Sequence, residues 1–80
     1  MLPEAVADYL RRVAEAQGVP EPEADTPLFE AGVLDSFGLL EFVSFLEGEC
    51  HLAVADADLR PHTFRSPAAI EAFLARAHRA

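Results

Sequence analysis

The chain has 80 residues, 51% of them hydrophobic, and its 14 acidic side chains outnumber six basic ones to give a formal net charge of −8 at pH 7. This length makes one domain, residues 1–80, with room for one modest core. The acidic balance excludes non-specific binding to nucleic acid and to anionic membranes, because both require a basic face. It favours protein partners with basic patches, unless the acids serve only solubility.

The cysteine content and the N-terminal segment bear on the cellular compartment. The single Cys50 rules out an internal disulfide, and a lone thiol suits a reducing environment. The opening residues "MLPEAVADYLRR" lack the basic stretch and long apolar run of a secretory signal. No apolar stretch approaches the ~18 residues that a membrane span needs. We therefore expect a cytoplasmic, monomeric protein that binds neither membranes nor nucleic acid.

The first predicted helix runs from Pro3 to Gln17. Its apolar residues recur at spacings of four and three, as on one helical face: Val6, Leu10 and Val13. Proline suits the first turn, where its missing N–H costs nothing, and Gly18 suits a C-terminal stop. The acidic segment from Gly18 to Pro27 contains three prolines, which forbid a regular helix, so we predict a loop.

The second predicted helix runs from Ser36 to Leu52, with Asp35 as its N-cap. Its apolar residues form a stripe wider than a surface helix requires: Leu39, Leu40, Phe42, Val43, Phe45 and Leu46. The width of this stripe predicts a central position in the fold. Cys50 follows Leu46 by four residues on the same face, so we interpret it as a small core side chain.

Two further helical segments are predicted toward the C-terminus. Residues Ala55–Pro61 favour one short helical turn closed by Pro61, and Phe64 is placed to anchor the following loop in the core. The last helix has Ser66 as N-cap and Pro67 at its first position. Its predicted buried face comprises Ile70, Phe73, Leu74 and Ala77. Its C-terminal end is basic, with Arg76, His78 and Arg79. No segment alternates apolar and polar residues, so the predicted fold is all-α, with three longer helices and one short one.

Several kinds of chemistry are disfavoured by the residue pattern. The candidate metal ligands are scattered without the spacing of a metal site: Cys50, His51, His62 and His78. Ser36 lacks the Gly-x-Ser-x-Gly elbow of a hydrolase, and there is no Gly-rich phosphate-binding loop. An 80-residue helical chain also leaves little room for an enzyme-sized pocket.

The stretch "AGVLDSFGL", from Ala31 to Leu39, is the most informative in the chain. Taken alone, its Asp35-Ser36 pair has two interpretations. The first is a helix cap, in which Asp35 accepts backbone N–H bonds and Ser36 is a tolerated first-turn residue. The second is a functional serine presented at the start of a helix, and the surrounding residues decide between them.

The segment "DTPLFEAGVLDSFGLLEFVSFLE", Asp25–Glu47, resembles the phosphopantetheine carrier proteins, which comprise acyl carrier proteins and their peptidyl and aminoacyl relatives. The likeness rests on the Leu28-Phe29 turn, on the signature Gly32–Phe37, and on a helix with two spaced glutamates. It continues through "DADLRPHTFRSPAAIEAFL", Asp56–Leu74, which is similar to the family's short third helix and capped last helix.

This resemblance implies a small four-helix bundle that is not an enzyme. Its role would be to hold an acyl or aminoacyl intermediate as a thioester on a 4′-phosphopantetheine arm attached to Ser36. A phosphopantetheinyl transferase would install the arm, using Mg²⁺ held mostly by that enzyme. A loading ligase and downstream synthases or transferases with basic docking patches would act on the cargo. Two alternatives stay open: a helical interaction module without an arm, and an enzyme with a base near Ser36.

The resemblance also implies a docking surface beside the serine. Its candidate residues are Asp35, Phe37, Leu40, Glu41 and Glu47. Phe37 stands where the family often has leucine. Two roles stay open for its ring: docking to a partner, or packing against Leu40 or the loop. Several residues depart from the pattern of fatty-acid carriers: Gly38, Ser44, Gly48 and Cys50. The less acidic helix favours a specialised pathway of polyketide, peptide-synthetase or amino-acid-activating type.

Overall fold

The computed structural model describes residues 2–77. Its regular elements are the helices α1 (Glu4–Gln17), α2 (Ser36–Cys50) and α3 (Pro67–Ala77), and two 3₁₀ turns at Asp56–Asp58 and Pro61–Phe64. Residues 2–77 contain no β-strand, so the all-α prediction is confirmed. Every helix in this part of the chain is too short or too polar to cross a bilayer. The predicted basic residues His78 and Arg79 lie outside the described residues.

Helix α1 has the predicted buried face and the predicted stop. Val6 and Leu10 are buried as predicted, Ala14 is buried as well, and the predicted Val13 is only partly buried against the core. Gly18 adopts a left-handed conformation with φ 72°, and its N–H bonds back to the last turn, as a glycine at a helix C-terminus permits. Pro3 lies one position outside the helix rather than within it, and its carbonyl accepts the N–H groups of Val6 and Ala7 at 3.0 Å.

Helix α2 begins at the predicted residue but ends two residues earlier than predicted, at Cys50. His51 follows in the left-handed region with φ 53°, so the helix cannot continue to Leu52. The Cys50 thiol is partly buried against the core, as predicted. This burial, together with the neighbouring Glu49, raises the pKa of the thiol.

The sequence predicts a single short turn that ends at Pro61, but the structure has two 3₁₀ turns in this segment, so this prediction is wrong. Pro61 opens a second 3₁₀ turn, because proline fits a first helical position where no N–H is needed. The first turn is closed before it, by bonds from Asp58 N to Ala55 O at 2.8 Å and from Leu59 N to Asp56 O at 3.2 Å. Phe64 is completely buried, which confirms its predicted anchoring role.

The core is organised around aromatic rings from every helix. Tyr9 of α1 stacks on Phe45 of α2 with ring centroids 4.4 Å apart. Phe64 meets Phe42 of α2 edge-on at 6.0 Å and Phe73 of α3 at 5.3 Å. The central placement predicted for α2 is therefore confirmed, since its rings contact both α1 and the segment that leads to α3.

Candidate functional site

The loop before α2 is fastened to the core by Leu28. The Leu28 side chain is fully buried, and its N–H donates to the carbonyl of Arg65 at 2.9 Å. Its own carbonyl accepts from the N–H groups of Val33 at 2.9 Å and Leu34 at 3.1 Å. Because Val33 and Leu34 are also buried, the chain is fixed immediately before the Asp-Ser pair.

Gly32 supplies the turn within this loop. Its φ of 85° lies in the left-handed region, which side chains rarely adopt. Its N–H donates to Phe29 O at 3.3 Å, and that of Ala31 donates to Pro27 O at 2.8 Å. The turn lets the chain reverse before it enters α2.

Asp35 is the N-cap of α2, as predicted. Its backbone is extended, and its carboxylate oxygen Oδ1 accepts the N–H of Gly38 at 2.6 Å. A Cβ on Gly38 would stand 3.2 Å from this oxygen, closer than an ordinary van der Waals contact. The structure therefore explains why a glycine suits position 38: without a Cβ, it leaves room for the short capping bond from its N–H to Asp35. The spacing of residues in the sequence did not reveal this.

Ser36 is the first residue of α2, and it is exposed. The first N–H groups of a helix have no partner within the helix, and they form the positive end of its dipole. The Asp35 carboxylate takes the N–H of Gly38, two residues beyond the serine. The Ser36 hydroxyl thus lies on the surface at a helix end that favours an added anion.

Phe37 and Leu40 form an exposed apolar pair on α2. The side chains are 80% and 62% exposed, and they project about 60° apart around a helix that turns ~100° per residue. The 80% exposure of Phe37 shows that its ring is not buried in the bundle. Exposed apolar side chains that lie together are a common feature of protein interaction surfaces.

The predicted docking acids flank this apolar pair on opposite sides. Glu41 and Glu47 are both exposed, and six residues of helix separate their directions by about 120°. Glu41 borders α1: its charge and the burial of the ring, the larger cause, together raise the pKa of Tyr9. Glu41 is therefore an exposed acid on the α1 side of the pair.

Glu47 has a structural contact that the sequence did not reveal. One of its carboxylate oxygens accepts the N–H of Val54 at 3.0 Å, across the end of α2. Val54 is buried, so the bond ties the chain after the helix to the body of the fold. Helical spacing groups Glu47 with Glu41, but no local pattern signals a bond to a residue seven positions later.

The candidate metal ligands within residues 2–77 are not brought together. Within residues 2–77, no three His, Cys, Asp or Glu side chains lie close enough to hold a metal ion. The His62 ring Nε2 lies 3.2 Å from an Arg65 guanidinium nitrogen, and His51 is the exposed C-cap of α2. His78 lies outside the described residues.

The comparison with protein families identifies the family of the chain. The family described as "Phosphopantetheine attachment site" matches residues 4–74, which is most of the chain and includes all three helices' starts. The chain belongs to this family. Its members carry 4′-phosphopantetheine covalently on a serine and act as carriers with phosphopantetheinyl transferases and synthase enzymes. A comparison with the curated proteins gives no match.

Proposed function

We propose that Ser36 is the attachment residue of this carrier domain and that Asp35 presents it. The observation that supports the proposal is an exposed hydroxyl at the first position of a capped helix, inside the Gly32–Phe37 signature. The loop before it is fixed by buried residues, so the hydroxyl is held at one place on the surface. The arm, when attached, supplies a terminal thiol that holds an acyl group as a thioester.

The chain offers three serines, and their environments differ. Ser66 is half-buried, and its hydroxyl oxygen accepts the N–H of Ala69 at 3.2 Å as a helix cap. Ser44 is exposed, but it lies in the middle of α2, away from the positive end of the dipole. Ser36 alone combines exposure with a helix N-terminus, where a phosphodiester is stabilised.

The residues around Ser36 fit an attached phosphodiester. The free N–H groups of the first turn and the dipole favour a negative charge there. Asp35 is itself negative, and its carboxylate is already engaged by Gly38 N. We therefore assign Asp35 to capping and to contact with a basic transferase, rather than to contact with the phosphate.

Attachment makes one bond and breaks one. The Ser36 oxygen bonds to phosphorus of coenzyme A, the diphosphate bond of coenzyme A breaks, and adenosine bisphosphate leaves. The serine proton passes to a base of the transferase, and Mg²⁺ held there stabilises the charge on the diphosphate. Within the chain itself, Ser36 is an attachment point and has no catalytic role.

The exposed face of α2 beside Ser36 is the proposed docking surface. It comprises Asp35, Phe37, Leu40, Glu41 and Glu47. An apolar pair between acids suits a partner with a small hydrophobic contact bordered by basic side chains. Such partners include the transferase, a loading ligase and downstream synthases or transferases. We propose that the chain acts with them as a cytoplasmic monomer in a specialised polyketide or nonribosomal-peptide type of pathway.

Intact mass measurement tests the attachment. The chain is incubated with coenzyme A, Mg²⁺ and a broad-specificity phosphopantetheinyl transferase, and we expect one added arm. Ser36→Ala should abolish the addition, whereas the matched variant Ser44→Ala should accept the arm as the original chain does. An unmodified original chain would leave the alternative of a helical interaction module without an arm. An arm that persists in Ser36→Ala would assign the attachment to another residue.

A further inference from the structure

The segment between α2 and α3 carries two arginines that differ from the others of the described chain. Within residues 2–77, Arg11 and Arg12 pair with Asp8, and Arg76 pairs with Asp58. Arg60 and Arg65 are exposed and form no ion pair with a carboxylate among these residues. The Arg60 and Arg65 guanidinium groups lie five positions apart, and no carboxylate of residues 2–77 forms an ion pair with either, in a chain of net charge −8.

This segment is held in place at several points. Glu47 of α2 accepts Val54 N at 3.0 Å before the first 3₁₀ turn, and Asp58 in that turn lies 3.6 Å from Arg76 of α3. The Arg65 guanidinium donates to the carbonyl of His62 at 2.7 Å. The same nitrogen, Nη1, also lies 3.2 Å from the His62 ring, so these contacts orient the guanidinium through Nη1 and leave the N–H donors of Nε and Nη2 for a partner.

The same segment is joined to the loop that presents Ser36. The Arg65 carbonyl accepts Leu28 N at 2.9 Å, and the Leu28 carbonyl accepts Leu34 N at 3.1 Å. Leu34 is two residues before Ser36. Backbone hydrogen bonds therefore fix the position of Arg65 in the chain relative to the loop that leads to Ser36.

Leu59, Arg60 and Arg65 together combine apolar and basic character. Leu59 is 40% exposed and directly precedes Arg60. Guanidinium groups bind carboxylates through paired N–H donors and keep their charge at any physiological pH. We call these three residues the arginine surface, and its charge is opposite to that of the docking surface on α2.

We propose that the arginine surface binds carboxylates on the phosphopantetheinyl transferase that modifies Ser36. The proposal rests on the function proposed above, since it assumes that the transferase acts at this serine. Two surfaces of opposite charge on one small domain favour one orientation of a partner with the complementary pattern, because the reversed orientation opposes like charges. The arginine surface would thereby set how the transferase meets the serine.

Transfer kinetics with a matched control test this proposal. The double variant R60Q/R65Q removes two charges from the arginine surface, and R11Q/R12Q removes two charges from α1. With a broad-specificity transferase, coenzyme A and Mg²⁺, we expect R60Q/R65Q to lower kcat/KM about three- to tenfold, mainly through KM, with the loss shrinking at high salt. R11Q/R12Q should not show this loss.

The outcomes separate local contact from overall charge. If net charge alone governs association, both variants become equally more acidic and shift kcat/KM alike, which overturns the proposal. An unchanged kcat/KM in R60Q/R65Q overturns it as well, while arm transfer to the original chain still supports attachment at Ser36. The single variant Arg60→Gln leaves the bond from Arg65 to His62 intact and should lower kcat/KM by a smaller factor. It therefore tests the proposal even if the double variant folds poorly.

Coenzyme A itself carries phosphates, so a second measurement identifies the ligand. The ¹⁵N-labelled Ser36→Ala chain is titrated first with coenzyme A alone and then with the transferase. We expect the amide signals of residues 59–65 to shift only when the transferase is added. Shifts with coenzyme A alone would show that the arginines bind phosphate and would overturn the assignment to protein carboxylates.

Discussion

The two ends of α2 are built in different ways. At its start, Asp35 caps the helix through Gly38 N, so the residues concerned span only four positions. At its end there is no basic residue in the last turn, and His51 adopts a left-handed conformation with φ 53°. The local cap makes the start of α2 predictable from adjacent residues. The other end depends on the chain that follows, so substitutions at the two ends should affect folding stability differently.

Loss of the N-terminal cap should have the largest effect. Asp35→Ala removes the acceptor of Gly38 N, and we expect it to lower the free energy of unfolding by about 1–2 kcal/mol. Urea denaturation measures the change. Asp35→Asn keeps an oxygen acceptor and is the control, with a loss of only a few tenths of a kcal/mol expected. Equal losses in the two variants would mean that the charge, rather than the cap, stabilises this end.

The C-terminal end should respond in the opposite direction. His51→Gly relieves a left-handed conformation that costs a non-glycine residue about 1 kcal/mol, and we expect the free energy of unfolding to rise by roughly that amount. Thermal and urea unfolding both report it. His51→Ala removes the ring but keeps the Cβ, so it should bring no such gain. A gain in His51→Ala equal to that in His51→Gly would contradict the backbone explanation.

The bond from Val54 N to Glu47 should have a local effect. Glu47→Ala removes the acceptor, and we expect hydrogen exchange of the Val54 amide to speed up about two- to tenfold, as a hydrogen bond of ~0.5–1.5 kcal/mol implies. Glu47→Gln keeps an oxygen acceptor and should retain most of the protection. The same two variants distinguish a structural role of the Glu47 hydrogen bond from a role of its charge in binding a partner. If only the charge matters, both variants slow arm transfer equally.

The exposed apolar pair should have the smallest effect on folding. Phe37→Ala and Leu40→Ala remove side chains that are mostly in solvent, so we expect changes in the free energy of unfolding within about 0.5 kcal/mol. Both variants should nevertheless slow arm transfer, since the pair lies beside Ser36. Unfolding and transfer kinetics are measured on the same samples. A large loss of stability would show that Phe37 packs in the fold.

The placement of Glu41 has a spectroscopic test that does not depend on any partner. Tyr9 is the chain's single tyrosine, and there is no tryptophan, so tyrosinate absorbance reports one group. Burial, and to a smaller extent Glu41, raises its pKa. Glu41→Gln should lower the pKa of Tyr9 part of the way toward its ordinary value, because the burial remains. Glu47→Gln, on the other side of the apolar pair, is the control and should leave the titration unchanged.

Much of the site could be predicted because its signals are local. Asp35 before an apolar helix predicts a cap, and proline and glycine predict the ends of α1 and the start of α3. The helical period predicts most of the buried face of α2, but Leu40, which belongs to the same apolar stripe, is 62% exposed. Attachment at Ser36 and docking by its neighbours remain predictions from the resemblance, and the experiments above test them.

Other features could not be predicted because they join residues that no local rule connects. The left-handed conformation at position 51 is not signalled by a glycine, because the residue there is histidine. Pro61 is compatible with the start of a turn as well as with its end. The bond between Glu47 and Val54 N and the bond from Leu28 N to Arg65 O become visible only when the chain is folded.

The sequence by itself determined the all-α fold, the family, the capped start of α2 and the apolar faces of the helices. Each of these depends on residues within one or two helical turns of each other, where side-chain type fixes backbone geometry and burial. Tertiary structure alone decided where α2 ends, how the segment after it is held, that Phe37 stays in solvent, and that Arg65 lies against the loop before Ser36. These depend on contacts between distant parts of the chain, and such contacts form only when the aromatic core brings the helices together.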